Sequence, residues 1–344
     1  MAQSYSGPGL CGGLVLALAP AMLAASAAGA SWGHIDADGE AVTVYRDDFG
    51  VPHIAAQTAH GLYYAMGYAV AQDRLAQMAF NRRYASGTLC EVYGDQYFGV
   101  DYIIRRDYYT EEELQAQFEA LPAELRAMFT AYAAGVTAYI DVVAANPELL
   151  PQELAGREPA SWTALDSVGF VHVMFRLLGQ RGGKEMHNRD NLETLGWDEF
   201  NRLYPVNNPL APTTIPREAA GPPPEMKRGP FAPLDLPPLD RGVAERHDAE
   251  WAELLRVADE GGFPARIGSY GAVVTGAGSA TETPLVLGCP SMSFDIPPPP
   301  PQTACEVDLH GPGVDVAGVT FPGVPLVFIG HNAHVAWSMT SGRS

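Results

Sequence analysis

The chain has 344 residues, 47% of them hydrophobic and only 18% charged, with 36 Gly and 29 Pro; that is enough for one large core or two domains among many turns. Its formal charge of −19 repels phosphate backbones and anionic membrane surfaces, and no Lys/Arg run offsets it, so nucleic acid is excluded as an expected partner. Of four cysteines, Cys11 lies in an apolar leader and Cys90, Cys289 and Cys305 remain, too few for a disulfide framework; Cys289 and Cys305 could pair after export, but isolated buried thiols are the preferred reading.

Residues 1–30 read as a cleaved export signal. Gly12 to Ala30 carries no charge and ends in Ala28-Gly29-Ala30, which suits a signal peptidase, although Met1 to Leu10 lacks the usual Lys or Arg. A periplasmic or secreted protein is therefore expected, and no later segment is expected to span a membrane. Val42 to Tyr45 and then Arg46 to Ile54 read as strand, turn, strand. A helix follows from Thr58, with Leu62, Met66 and Ala69-Val70 on one face and Gly87 at its end. Thr110-x-x-Glu113 is a capping box opening a second helix, which Pro122 restarts; a third is predicted over roughly Ala164 to Gly179. Seven prolines between Gly221 and Asp240 rule out regular structure there. Val243 to Glu260 reads as an amphipathic helix, and from Ser269 the pattern turns to short strands at 272–275, 285–287, 314–316, 326–329 and 335–338. A helical half, a Pro-rich spacer and a β half are expected.

From the residues alone, little chemistry stands out. Nine histidines are scattered, no Ser, His and Asp set is identifiable by spacing, and Gly-x-Ser-x-Gly does not occur as an elbow. His331-x-x-His334 lies in turn and strand rather than on a helix, so structural histidines are a better reading than metal ligands. The residues by themselves stop at an exported α+β protein.

Several motifs, taken together, go further. Arg46-Asp47-x-x-Gly50-Val51-Pro52-His53-Ile54, Gly67-Tyr68-Ala69-Val70-Ala71-Gln72-Asp73-Arg74-Leu75, Gly87-Thr88-x-x-Glu91-Val92-x-Gly94 and Asn208-Pro209-x-Ala211-Pro212 resemble the α-chain of the penicillin acylase family. Gly268-Ser269, Leu309-His310-Gly311-x-Gly313-x-Asp315 and Gly330-His331-Asn332 resemble the start of its β-chain. The resemblance implies an N-terminal-nucleophile hydrolase with an αββα sandwich, incomplete here. It divides the chain into a signal (1–30), an α-chain region (31–220), a spacer (221–268) and the front of a β-chain (269–344). It also implies a zymogen that cuts itself at Gly268-Ser269 and yields an α/β heterodimer acting on small amide substrates.

Roles follow from the same resemblance. Ser269 would be the nucleophile, its freed α-amine the base; such an amine has an ordinary pKa of about 7.7–8.0, so no histidine is needed. Ser341 would donate a backbone N–H to the oxyanion, and the backbone at Ser291 would face the nucleophile. Val173, Leu177, Met292 and Ile329 occupy acyl-pocket positions that are aromatic or Met in benzyl-selective relatives, and their aliphatic character admits alkyl acyl groups, including those of N-acyl-homoserine lactones. Glu185 matches a structural Ca2+ ligand. Tyr270 follows the nucleophile where the family usually has Asn. The chain stops at Ser344, so the implied enzyme continues further, and this chain alone is expected to be inactive; a non-catalytic remnant is the alternative.

Overall fold

The computed structural model describes residues 31–178, 185–204, 268–291 and 304–339, with single positions between 242 and 256. The leader and nearly all of the spacer lie outside the described residues, as do Met292 and Ser341 and the side chains of Leu177, Glu185 and Ser291. The architecture is α+β. Three strands open the chain: β1 (Ser31–Ala37), β2 (Glu40–Arg46) and β3 (Pro52–Ala55). Helices follow as α1 (Ala59–Ser86), α2 (Cys90–Tyr93), α3 (Phe98–Asp107), α4 (Glu111–Ala120), α5 (Ala123–Ala145), α6 (Ala164–Leu178) and α7 (Glu185–Leu203). After the spacer come β4 (Gly268–Val274), β5 (Leu285–Ser291), β6 (Cys305–Gly311), β7 (Val314–Thr320), β8 (Ile329–His331) and β9 (Ala336–Trp337).

The strands form two sheets, one of seven strands in the order β1-β2-β3-β6-β7-β8-β9 and a ribbon of β4 with β5. The mostly helical first part of the chain also contributes three strands to the larger sheet, two of them in the segment that reads as strand, turn, strand and one, β1, beyond it. All neighbours in that sheet are antiparallel except β3 and β6, whose parallel register His53↔Asp308, Ile54↔Leu309, Ala55↔His310 joins the two parts. Strand periodicity decides the faces. Val42, Val44, Ile54, Val307 and Leu309 are buried and pack with Leu62, Met66, Ala69 and Val70 of α1.

Helix α1 begins where Thr58 accepts a hydrogen bond from the Gly61 N–H at 2.9 Å. It ends at Gly87, whose φ of 63° is a left-handed cap suited to glycine. Helix α5 crosses it almost in backbone contact. A Cβ on Gly67 would stand 2.1 Å from the Tyr132 carbonyl oxygen, and one on Gly135 would stand 1.8 Å from that of Tyr64. These two reciprocal glycines permit the crossing. By length and apolar composition α5 could cross a membrane, contrary to the sequence expectation, but its Tyr132, Val136, Tyr139 and Ile140 are buried in the same core as α1. The capping box of α4 is present, with the Glu113 carboxylate accepting from the Thr110 N–H at 2.8 Å. The described positions of the 243–260 segment are helical, as its periodicity predicts.

Candidate active site

Ser269 is the second residue of β4 and is part-exposed. It faces Pro290 in the register, with Gly268 opposite Ser291 and Tyr270 opposite Cys289. Proline has no N–H, so position 290 donates no ladder hydrogen bond to the Ser269 backbone. Tyr270 and the Cys289 thiol are hydrogen-bonded across the ribbon, an interaction that pushes the Tyr270 hydroxyl above its ordinary value. Cys90, Cys289 and Cys305 are all free thiols. Burial pushes the Cys305 thiol up to about 12, which keeps it protonated and unreactive.

The ribbon approaches the large sheet at Gly288, where a Cβ would stand 2.3 Å from Ser338 Oγ and 3.3 Å from Ile329 Cγ2. Ile329 is thus brought beside the strand that faces Ser269. Its chain neighbour Phe328 is buried in a cluster with Phe80, Tyr97, Phe170, Val173, Met174 and Val324. Val173 is 1% exposed, so it acts as the floor of that cluster rather than as an open wall. Leu177 lies one turn beyond Val173 in the sequence of α6.

The loop between β7 and β8 is held from below by two helices. Tyr132 of α5 accepts a hydrogen bond from the Gly323 N–H at 3.1 Å, and Asn81 Nδ2 of α1 donates to the Pro322 carbonyl at 3.0 Å. Complete burial raises the Tyr132 hydroxyl far above its ordinary pKa, so it stays neutral. Arg82 of α1 donates to the carbonyls of Ala160 (3.0 Å) and Ser161 (2.9 Å) and stacks 4.6 Å over Trp162, fixing the entry to α6.

Glu185 is the first residue of α7. Among the described residues, no group of three or more His, Cys, Asp or Glu side chains is placed to hold a metal ion. One carboxylate does not supply the six to eight oxygens that calcium takes. His331 and His334 flank a turn in which Asn332 Oδ1 accepts from the N–H groups of His334 and Val335, both at 2.8 Å.

One polar cluster escapes sequence reasoning. His53 Nδ1 lies 2.6 Å from Asp308 Oδ2, and His310 lies 3.0 Å from the same oxygen through Nε2 and 2.7 Å from Asp315 Oδ1 through Nδ1. His53 and Asp308 are 255 residues apart, beyond any spacing rule.

Comparison with known proteins adds what geometry alone leaves open. The family model for penicillin amidase matches residues 41–344, a range that includes Gly268-Ser269. Penicillin G acylase of Escherichia coli is 32% identical over 333 residues, covering 88% of this chain and 39% of that protein. An acyl-homoserine lactone acylase of Pseudomonas aeruginosa is 26% identical over 304 residues, covering 87% of this chain and 33% of the relative. A solved thermostable penicillin G acylase from Alcaligenes faecalis shares 37% identity, covers 52% of this chain and 97% of that one, and superposes with a TM-score of 0.43. The chain therefore spans only 33–39% of these curated relatives' length. With the family model running through both parts of the composite sheet and through Ser269, the chain belongs to the penicillin amidase family.

Proposed function

We propose that this chain is the front part of a self-cleaving acylase precursor that hydrolyses linear amides with an apolar acyl group. The observation that carries the reading is the family match over residues 41–344, which takes in Gly268-Ser269. Its support in the structure is the position of Ser269 at the start of β4, part-exposed and opposite a residue that cannot donate to it.

In this reading the Ser269 hydroxyl first attacks the Gly268 carbonyl; the peptide C–N bond breaks as the acyl group moves to Oγ and the nitrogen takes the proton, and water then hydrolyses the ester to leave a Gly268 carboxylate and a Ser269 with its amine and hydroxyl both free. That amine then takes the hydroxyl proton as Oγ attacks the substrate carbonyl. The backbone N–H of Ser341 donates to the oxyanion, the amine of the leaving group departs with the proton, and water releases the acyl group from Oγ. The product is an α/β heterodimer, and export to the periplasm follows from the leader. A second substrate reading, long alkyl amides such as N-acyl-homoserine lactones, is favoured by the aliphatic Val173, Leu177, Met292 and Ile329 together with the relatives of that activity. By itself the 344-residue chain is proposed to be a poor catalyst, because the ribbon bearing Ser269 leaves Tyr270, Val273 and Leu287 exposed.

Intact mass and N-terminal sequencing of the mature protein test the cut: two chains are expected, the second starting at Ser269, and Ser269→Ala should abolish both cleavage and amide turnover. A single chain running through Gly268-Ser269 in active protein defeats the reading. Parallel assays with phenylacetyl and alkyl amides separate the two substrate classes.

A further inference from the structure

The large sheet is composite, and its two parts meet along one short parallel contact. Three register pairs join β3 to β6, extended by the Ala56 N–H donating to the His310 carbonyl at 3.0 Å. On the face away from α1, this join carries an alternating chain of imidazoles and carboxylates. Asp315 (β7) pairs with His310 (β6), His310 with Asp308 (β6), and Asp308 with His53 (β3). Asp47, in the turn before β3, closes the far end with Oδ2 3.6 Å from His53 Nε2. The other oxygen of Asp47 is already committed, accepting from the Phe49 and Val51 N–H groups at 2.9 Å. His53 Nε2 is buried and has no hydrogen-bond partner, with Asp47 Oδ2 3.6 Å away.

We propose that the Asp315–His310–Asp308–His53–Asp47 chain is a proton-operated clamp on the seam between the segments before and after the spacer, tightened by protonation and loosened by its loss. With His310 charged, a cation stands between the Asp308 and Asp315 carboxylates; with it neutral, the two negative charges flank an uncharged ring and repel each other. Along this face the direct register row is Trp32, Tyr45, His53, Asp308, Ala317, His331 and Ala336. Among the described residues of this row there is no Lys or Arg; its one other imidazole is His331, two strands beyond Asp308. Tyr45 packs its ring 5.5 Å from that of His53. Glu306, also on β6, adds a further carboxylate on the same face by strand alternation.

The direction of the response follows from His310. Burial disfavours its charged form, but hydrogen bonds to Asp308 and Asp315 outweigh this and hold its pKa above the ordinary histidine value. A group raised in the folded state contributes fully below its unfolded pKa, about 6.5, and that contribution disappears as pH rises through the folded value. The seam is thus tightest in mild acid and weakens towards alkaline pH. Where the chain is cut at Ser269, the clamp links two separate polypeptides; where it is not, it links two parts of one.

The test uses the full-length protein in two forms, wild type and the uncut S269A precursor, with thermal midpoints measured from about pH 6 to about pH 9. The midpoint is expected to fall with rising pH in both forms, and H310Q should remove that fall in both. In the cut form, the ratio of joined to parted chains should drop as well, by up to about tenfold for each step of one in pH between the unfolded and folded values of His310. D315N, which alters an exposed carboxylate and so keeps the fold, should lower the His310 titration seen by NMR. An H310Q profile parallel to that of wild type, or a His310 that titrates at or below the free histidine value, overturns the clamp. If wild type proves uncut, the cleavage reading fails while the pH dependence of the seam is still decided by the same variants.

Discussion

The seven-stranded sheet and the β4–β5 ribbon are both largely antiparallel, yet among the described residues only the first is covered. Ile54, Val42, Val307 and Leu309 of the sheet are sealed against α1, whose own position is fixed by the glycine-mediated crossing with α5. In the ribbon, Val273 is 71% exposed, Tyr270 63% and Leu287 55%. Backbone pairing runs through both, so pairing alone does not distinguish them; burial does. At roughly 25 cal/mol per Å² of apolar surface removed from water, the sheet face draws on the main driving force of folding, and the ribbon draws on almost none of it. The part that positions the candidate nucleophile is therefore the part with the least stabilisation of its own.

Substitutions can break this comparison in order of size. Gly135→Ala places a Cβ 1.8 Å from the Tyr64 carbonyl oxygen, with rigid helix backbone on both sides. Overpacking of this kind costs about 3 kcal/mol or more, and urea denaturation should show a lower midpoint or no folded protein. Tyr132→Phe keeps the ring but leaves the Gly323 N–H buried without its acceptor. A loss of about 1–3 kcal/mol is expected by the same method, and a slower acylation in the mature enzyme should accompany it, because the loop leading to Ile329 loses one of its two tethers. Val273→Ala in the ribbon should change stability by no more than about 0.5 kcal/mol. If Val273→Ala costs as much as Tyr132→Phe, the ribbon is covered in the working protein and the contrast between sheet and ribbon fails.

What was legible in the sequence was local. Thr58 and Gly87 bracket α1 because a capping hydroxyl and a left-handed glycine act within one turn, and Thr110 with Glu113 marks α4 for the same reason. β6 carries a period of two, with Val307 and Leu309 alternating against Glu306, Asp308 and His310, and this signal was available without the structure although the expected strands leave that segment out. β1 had no such signal: Ser31 to Ala37 holds a single β-branched residue, Ile35, and is a strand because β2 pairs with it along its whole length. α7 carries Leu192, Leu195, Phe200 and Leu203 at helical spacing, but Gly196 at φ 74° interrupts it and the expected helices leave it out. Ser269 was legible only through the resemblance. The His53–Asp308 contact was not legible at all, since only the fold brings those positions together.

The parallel join also sets a schedule for making the protein. β3 is complete once Ala55 has been added, but its partner lies 255 residues later at the His53–Asp308 pair. At roughly 5–20 residues per second, a ribosome needs on the order of 13–50 s to supply it. Throughout that interval the three-stranded meander offers an unpaired edge, a template on which a neighbouring nascent chain can add a strand of its own. Slower elongation lengthens the wait and higher expression crowds it, so yield of this protein should depend on how long a holdase keeps that edge occupied, quite apart from how stable the finished fold is.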